Sequence, residues 1–190
     1  MKRCFWCNLD NPKYVEYHDK EWGVPSHDDS YLFEMLLLES FQAGLSWECI
    51  LNKREHFREA FDNFDYLRIS KYDENKLEEL RNNKNIIRNK LKIASSVNNA
   101  KIFISIQEEF GTFDKYIWGF TNNKVIKGDG TNITSELSDT ISKDLINRGM
   151  KFVGSTIIYS YLQAIGIIND HTNDCDLKWR EKYVKYKIWN

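Results

Sequence analysis

The stretch DDSYLFEMLLLESFQAGLSW, residues 28–47, decides the fold. From Tyr31 to Leu38 it is apolar nearly all round, the composition of a helix sunk in a core. Asp28, Asp29 and Ser30 are N-cap residues for that helix, and Gly44 ends it. Ser46 then caps a second helix, on which Ile50, Leu51, Phe57 and Phe61 form one stripe while Lys53, Glu55 and Glu59 fall outside it.

Outward from this pair, the spacing stays helical. Asp73 caps a short helix through Leu80. A long amphipathic helix follows from about Asn89, with Leu91, Ala94, Val97 and Ile102 as buried candidates and Gly111 as its stop. Asp114 opens a short turn of helix containing Trp118. Residues 122–134 read as a polar loop, because Lys127-Gly-Asp-Gly130 concentrates turn formers. Ser138 caps a helix to Arg148, and Gly149 ends it. After the link Met150–Val153, Gly154-Ser155 starts another helix to about Ile165. Convincing strand alternation is missing, so the class is all-α. With 190 residues, no internal repeat and no linker, the expectation is a single domain over 1–190, its residues 177–190 forming a basic tail.

Hydrophobic residues make up 42% and aromatics 14%, enough for one core. The N-terminus shows neither a secretory signal nor a membrane span, which predicts a cytoplasmic protein. In a reducing compartment a cysteine cluster is better used on a metal than as a disulfide. The net charge of −1 excludes a uniformly basic nucleic-acid coat. Basic residues are nevertheless concentrated at Arg81, Lys84, Arg88, Lys90, Lys92 and Lys101, with no acid between, and in the tail. These runs read as solvated faces that permit a polyanionic partner without requiring one.

Metal ligands are suggested at both ends. His171 and Cys175 are separated by three residues, about one helical turn or the width of a tight loop, which suits two ligands of a tetrahedral zinc ion. Cys4 with either Cys7 or His18 supplies the other two. A closed set of four protein ligands leaves no open position, so the zinc would be structural, one ion clasping the two ends.

Glu39 is the candidate for chemistry. It follows Leu36-Leu37-Leu38 in an apolar helix, where a carboxylate pays heavily for desolvation unless it meets a partner. Trp6, Tyr14, Tyr17, Trp22 and Trp47 crowd the same quarter of the chain; such rings stack on planar bases and attract cations. Arg148-Gly-Met-Lys-Phe-Val-Gly-Ser-Thr156 lies between two helices in the manner of a helix-hairpin-helix element. There glycines allow close backbone approach, and amides at a helix start hold a phosphate without reading bases.

Together these residues resemble the 3-methyladenine DNA glycosylase I family. The matching stretches include Arg3-Cys4, Tyr17-His-Asp, Glu21-Trp-Gly-Val-Pro25, Leu32-Phe-Glu-Met35, Gln42-Ala-Gly-Leu-Ser-Trp47, Ile86-Ile-Arg88, Lys151-Phe-Val-Gly154 and Asn169-Asp-His171 with Cys175. They span Arg3 to Cys175. The resemblance implies an all-helical helix-hairpin-helix enzyme with zinc on Cys4, His18, His171 and Cys175, leaving Cys7 a bystander. It implies that Glu39 hydrogen-bonds the extruded base and is the catalytic candidate, with Tyr17, Trp47 and Trp6 around that base. Gln42, Gly44 and Leu45 would lie beside the gap in the DNA, and Lys151, Phe152, Val153, Gly154 and Ser155 would hold its backbone. Ser40-Phe41 departs from the family pattern in a place that bears on the pocket rim. Asp170 stands near the place of the catalytic aspartate of other helix-hairpin-helix glycosylases but adjoins a metal ligand, and no catalytic role is assigned to it.

The activity implied is hydrolytic release of 3-methyladenine from alkylated double-stranded DNA by a monomer, leaving an abasic site and performing no lyase step. Two other classes compete. A zinc-stapled nucleic-acid-binding module would bind without chemistry. A zinc hydrolase or base deaminase would need His-Glu-x-x-His or a Pro-Cys-x-x-Cys with His-x-Glu, and the sequence contains neither.

Overall fold

A computed structural model describes residues 1–178, and almost every element in it is helical. The helices are α1 (Pro12–Lys20), α2 (Asp29–Gln42), α3 (Trp47–Ala60), α4 (Tyr66–Ile69), α5 (Glu74–Asn82), α6 (Lys90–Phe110), α7 (Phe113–Gly119), α8 (Glu136–Asn147) and α9 (Ser155–Ala164). A single turn of 3-10 helix spans Asp62–Phe64.

α2 is the axle. Its residues from Met35 to Phe41 are all buried, because α3, α6, α7 and α9 surround it. Phe41 meets Phe57 and Phe61 edge-on, and Phe33 meets Phe103, so both neighbouring helices are fixed by interlocking rings. Tyr161 of α9 donates its hydroxyl proton to the Leu32 carbonyl. Asp28 caps α2, while Asp29 turns outward and accepts from the first amides of α7, Phe113 N at 2.9 Å and Asp114 N at 2.8 Å. Ser40 and Phe41 face this core, with the Ser40 hydroxyl on the Leu36 carbonyl, so neither reaches the pocket rim.

The caps at Asp28, Ser46 and Asp73 form as the sequence predicts, and Asn89, read as the approximate start of α6, caps it. Elsewhere the structure corrects the reading. On α6 the buried face runs through Ile93, Ser96, Ala100, Phe103 and Ile106, whereas Leu91 and Ala94 are exposed and Val97 and Ile102 half-buried. The face is rotated because polar residues turn inward: Ser95 and Ser96 bond their own helix carbonyls, and Asn99 holds a neighbouring loop. Lys92, counted among the solvated basic residues, is buried with them. α7 is capped by Thr112 rather than begun at Asp114. α8 starts one turn early because Ser135 and Ser138 form a reciprocal capping box. α1 has no counterpart in the sequence reading; Asn11 caps it and Pro12 fills its first position.

The predicted loop 122–134 contains one regular piece, strand β1 (Ile126–Lys127), paired in parallel with β2 (Ile168–Asn169). Ile126 N donates to Ile167 O at 2.8 Å and Gly128 N to Asn169 O at 3.0 Å. This short ladder carries residues 128–132 against Asp170. Of the basic tail, Leu177 and Lys178 are described: Lys178 is buried, its ammonium on the Gly128 carbonyl. Residues 179–190 lie outside the described part.

Candidate active site and metal centre

A pocket of about 200 Å³ opens where the first quarter of the chain meets its last third. α1 gives Tyr14 and Tyr17, the last turn of α2 gives Glu39 and Gln42, and the first residue of α3 gives Trp47; Trp6 and Trp22 complete this side. Opposite stand Gly130 and Asn132 from the loop, Ser160 and Gln163 from α9, and Asp170 after β2.

Four buried polar atoms of this lining have no partner among the described residues: Tyr17 Oη, Glu39 Oε2, Gln42 Oε1 and Trp47 Nε1. Buried polar groups are ordinarily satisfied, and each one left open costs about 1–3 kcal/mol. Four around one cavity mean that the folded protein holds donors and acceptors ready for something else. Burial raises the Glu39 carboxyl well above the ordinary range, with nothing offsetting it. Burial, then the neighbouring Glu39, raises the Tyr17 phenol likewise, and burial pushes Tyr14 up to about 12, so both phenols remain protonated donors. Tyr17 and Trp47 have ring centroids 5.1 Å apart, and Trp6 meets Trp22 edge-on at 4.7 Å. The result is an aromatic slot lined by two carboxyl groups, Glu39 and Asp170, of which Glu39 has an oxygen left open among the described residues.

Asp170, in contrast, has its oxygens engaged. Tyr159 Oη donates to Oδ2 at 3.0 Å, Gln163 Nε2 to Oδ2 at 2.7 Å, and Gly130 N to Oδ1 at 2.6 Å. It therefore anchors the loop wall. Glycine is required at 128, since a Cβ there would lie 2.0 Å from Asp170 Oδ1.

Behind Trp6 and Trp22, the structure brings Cys4, His18, His171 and Cys175 together, all four buried, with ligand atoms within 4.8 Å of one another. His171 Nδ1 is 3.4 Å from each of Cys4 Sγ and Cys175 Sγ, and His18 Nε2 is 3.6 Å from Cys175 Sγ. Zinc–sulfur and zinc–nitrogen bonds of roughly 2.3 and 2.0 Å at tetrahedral angles give sulfur–nitrogen edges of roughly 3.5 Å. The four atoms thus have the size and donor set of a zinc site. His18 Nδ1 lies 2.9 Å from Asp19 Oδ1, and Arg3 holds the same carboxylate through both its oxygens, a carboxylate–histidine support of the kind that orients metal ligands. Burial pushes the Cys4 thiol up to about 12, so an ionised thiolate there calls for a cation. Cys7 sits outside the set, its Sγ directed at the Tyr14 carbonyl.

Gln42, Gly44 and Leu45 form the turn after α2, where Gly44 has φ +81° and Leu45 is 41% exposed. Between α8 and α9, Met150 and Val153 point into the core while Lys151 and Gly154 face solvent. Asn99 pins this hairpin, donating to Lys151 O and accepting from Lys151 N, each at 2.9 Å, and Ser142 donates to Val153 O. Phe152 adopts φ +56°, a left-handed conformation rare for a bulky residue and held here by those bonds. No side chain caps α9. Ser155 bonds the Asp139 carboxylate and Ser138 with its hydroxyl, so the polar groups this helix start could offer an anion are its main-chain amides.

The wall residues Gly130, Asn132, Ser160 and Gln163 escaped the sequence reading. Only the glycine-rich loop gave a local sign, and it read as an ordinary turn.

The methyladenine glycosylase family matches residues 6–179. DNA-3-methyladenine glycosylase 1 of Escherichia coli is 41% identical over 92% of this chain and 96% of its own length. The corresponding Haemophilus influenzae enzyme is 40% identical over 93% and 97%. The structure of 3-methyladenine DNA glycosylase I from Staphylococcus aureus, described for its recognition of 3-methyladenine, superposes with a TM-score of 0.89. It is 33% identical over 94% of this chain and 97% of that one.

Proposed function

Because the chain belongs to the methyladenine glycosylase family, we propose that its aromatic slot is the seat of the excised base and that Glu39 is the group that grips it. The enzyme is a DNA-3-methyladenine glycosylase that removes the alkylated base in base-excision repair. The carrying observation is the set of four unpartnered buried polar atoms around one cavity.

N3 methylation leaves adenine cationic, which weakens its bond to the sugar, so the leaving base needs no protonation. The nucleotide swings out of the duplex and the base enters the slot. Glu39 accepts a hydrogen bond from the exocyclic amino group, and Tyr17 donates to the base; adenine offers this amino donor together with ring-nitrogen acceptors. Trp47 stacks, Trp6 closes the slot, and the ring faces attract positive charge that unmodified adenine lacks. As the glycosidic bond lengthens, charge moves to the sugar, and water adds there to leave an abasic site. Hydrolysis without a lyase step is the reaction proposed.

Cys4, His18, His171 and Cys175 would hold one zinc ion, whose contribution is folding energy. The turn Gln42, Gly44 and Leu45 would fill the space the base vacates, while Lys151 to Ser155 would hold the DNA backbone of a double-stranded substrate. The protein acts as a monomer in the cytoplasm, a setting that suits four free thiols; no described helix is long and apolar enough to cross a membrane.

The direct test is incubation with methylated duplex DNA and chromatographic identification of the freed base. Release of 3-methyladenine with Glu39→Ala reduced at least tenfold is the expected result. Undiminished release by that variant would remove Glu39 from its role.

A further inference from the structure

Lys92 is buried, yet among the described residues its ammonium group meets main-chain carbonyls and no carboxylate. Nζ donates to Phe41 O at 2.8 Å and Ala43 O at 2.6 Å, the last carbonyls of α2 where the chain turns toward Gly44 and Leu45. The same Nζ stands 5.8 Å from the Phe152 ring of the hairpin. A cation at a helix C-terminus satisfies orphan carbonyls and the dipole. An exposed lysine would do so without the desolvation that here depresses its basicity.

Seven residues further along α6, Asn99 grips the hairpin through Lys151 N and O. Two helical turns separate the grips, about 10 Å along the axis, and a seven-residue step returns to nearly the same face. α6 therefore touches both segments assigned to DNA, one at each grip.

We propose that Lys92 is a positioning residue which, with Asn99, makes α6 a ruler fixing the distance between the Gln42–Leu45 turn and the 151–155 hairpin. The inference rests on the DNA reading of those two segments. Without the ammonium group, the turn loses its tie to α6 and the two contacts no longer meet the duplex in register. The base slot shares only Gln42 with this turn, and its other walls stand apart from Lys92, so base binding suffers far less than duplex binding.

The test measures K92M, K92Q and K92R beside the unaltered chain in two assays. One is binding of free 3-methyladenine by tryptophan fluorescence; the other is binding and cleavage kinetics on duplex DNA. For K92M the expected result is base affinity within twofold of the parent, duplex affinity down roughly tenfold, and KM raised with kcat retained. K92R, which keeps a charged donor, recovers part of the loss, and K92Q falls between; K92Q carries the test if K92M does not fold. Unchanged duplex affinity overturns the proposal, as does a parallel loss of base and duplex binding, which marks a purely structural cap. Should the unaltered chain bind no duplex, the DNA reading fails and the ruler with it. Should it bind while K92M binds equally well, only the ruler fails.

Discussion

Glu39→Gln should make the free protein more stable while making it a poorer enzyme. In the folded chain the Glu39 carboxyl is 2% exposed and Oε2 has no partner among the described residues, so burial raises its pKa above the unfolded value near 4.5. The native state therefore keeps this proton to higher pH than the unfolded state. Stability from this group is complete below about pH 4.5 and declines as pH rises through the folded range. Within that interval the decline is at most about 1.4 kcal/mol per pH unit, and for a chain of this size 1 kcal/mol corresponds to roughly 2–4 °C in Tm. Glutamine has nothing to ionise, so subtracting the two melting curves cancels every other titrating group. The variant's Tm should match the parent's near pH 4.5 and exceed it increasingly, by about 3–5 °C for each pH unit at first. Calorimetry from pH 4.5 to 8 measures this, and base release from methylated DNA by the same samples should fall roughly ten- to a hundredfold with loss of a charged hydrogen bond. Parallel Tm profiles, or a variant less stable than its parent at pH 8, would refute the claim that Glu39 is buried uncompensated.

Tyr17→Phe removes a hydroxyl that no described residue bonds, so its Tm should hold within a degree or two while affinity for 3-methyladenine falls about fivefold, near 1 kcal/mol, by isothermal titration. Gly128→Ala drives a Cβ into Asp170 and should displace the 128–132 wall; base affinity falls with zinc content unchanged, measured by titration and metal analysis. Cys175→Ser, or chelation of the native protein, should lower Tm by 10 °C or more, given the roughly 10 kcal/mol scale of structural zinc; an unchanged Tm on metal removal argues against the clasp.

Local rules were legible in the sequence wherever one residue decides. Asp28, Ser46, Asp73 and Asn89 start helices because each offers an oxygen to amides two or three positions on. Glu39 stood out because a carboxylate in an apolar run is costly. Hydrophobicity misled on α6, where Lys92, Ser95, Ser96 and Asn99 face inward, since a buried polar group that finds a carbonyl is as acceptable as a leucine. Ser138 took the cap position in the reading because it and Ser135 are chemically identical and only the reciprocal bond distinguishes them. The far wall of the pocket was illegible for a different reason. Gly130 and Asp170 are brought together by the pairing of two-residue strands whose partners lie over forty positions apart, and Gln163 joins them from α9; no nearby pattern announces that.

The distance in sequence between Cys4 and Cys175 also sets a timetable. At a synthesis rate of about 5–20 residues per second, on the order of 10–30 s separate their emergence from the ribosome. For much of that interval Trp6, Tyr17 and Trp47 exist without the opposite wall, of which Gly130 is made first, then Gln163, and Asp170 last. A nascent chain therefore owns half a slot and half a Cys/His cluster, and the capacity to strip a base from the genome arrives only when the last wall is laid.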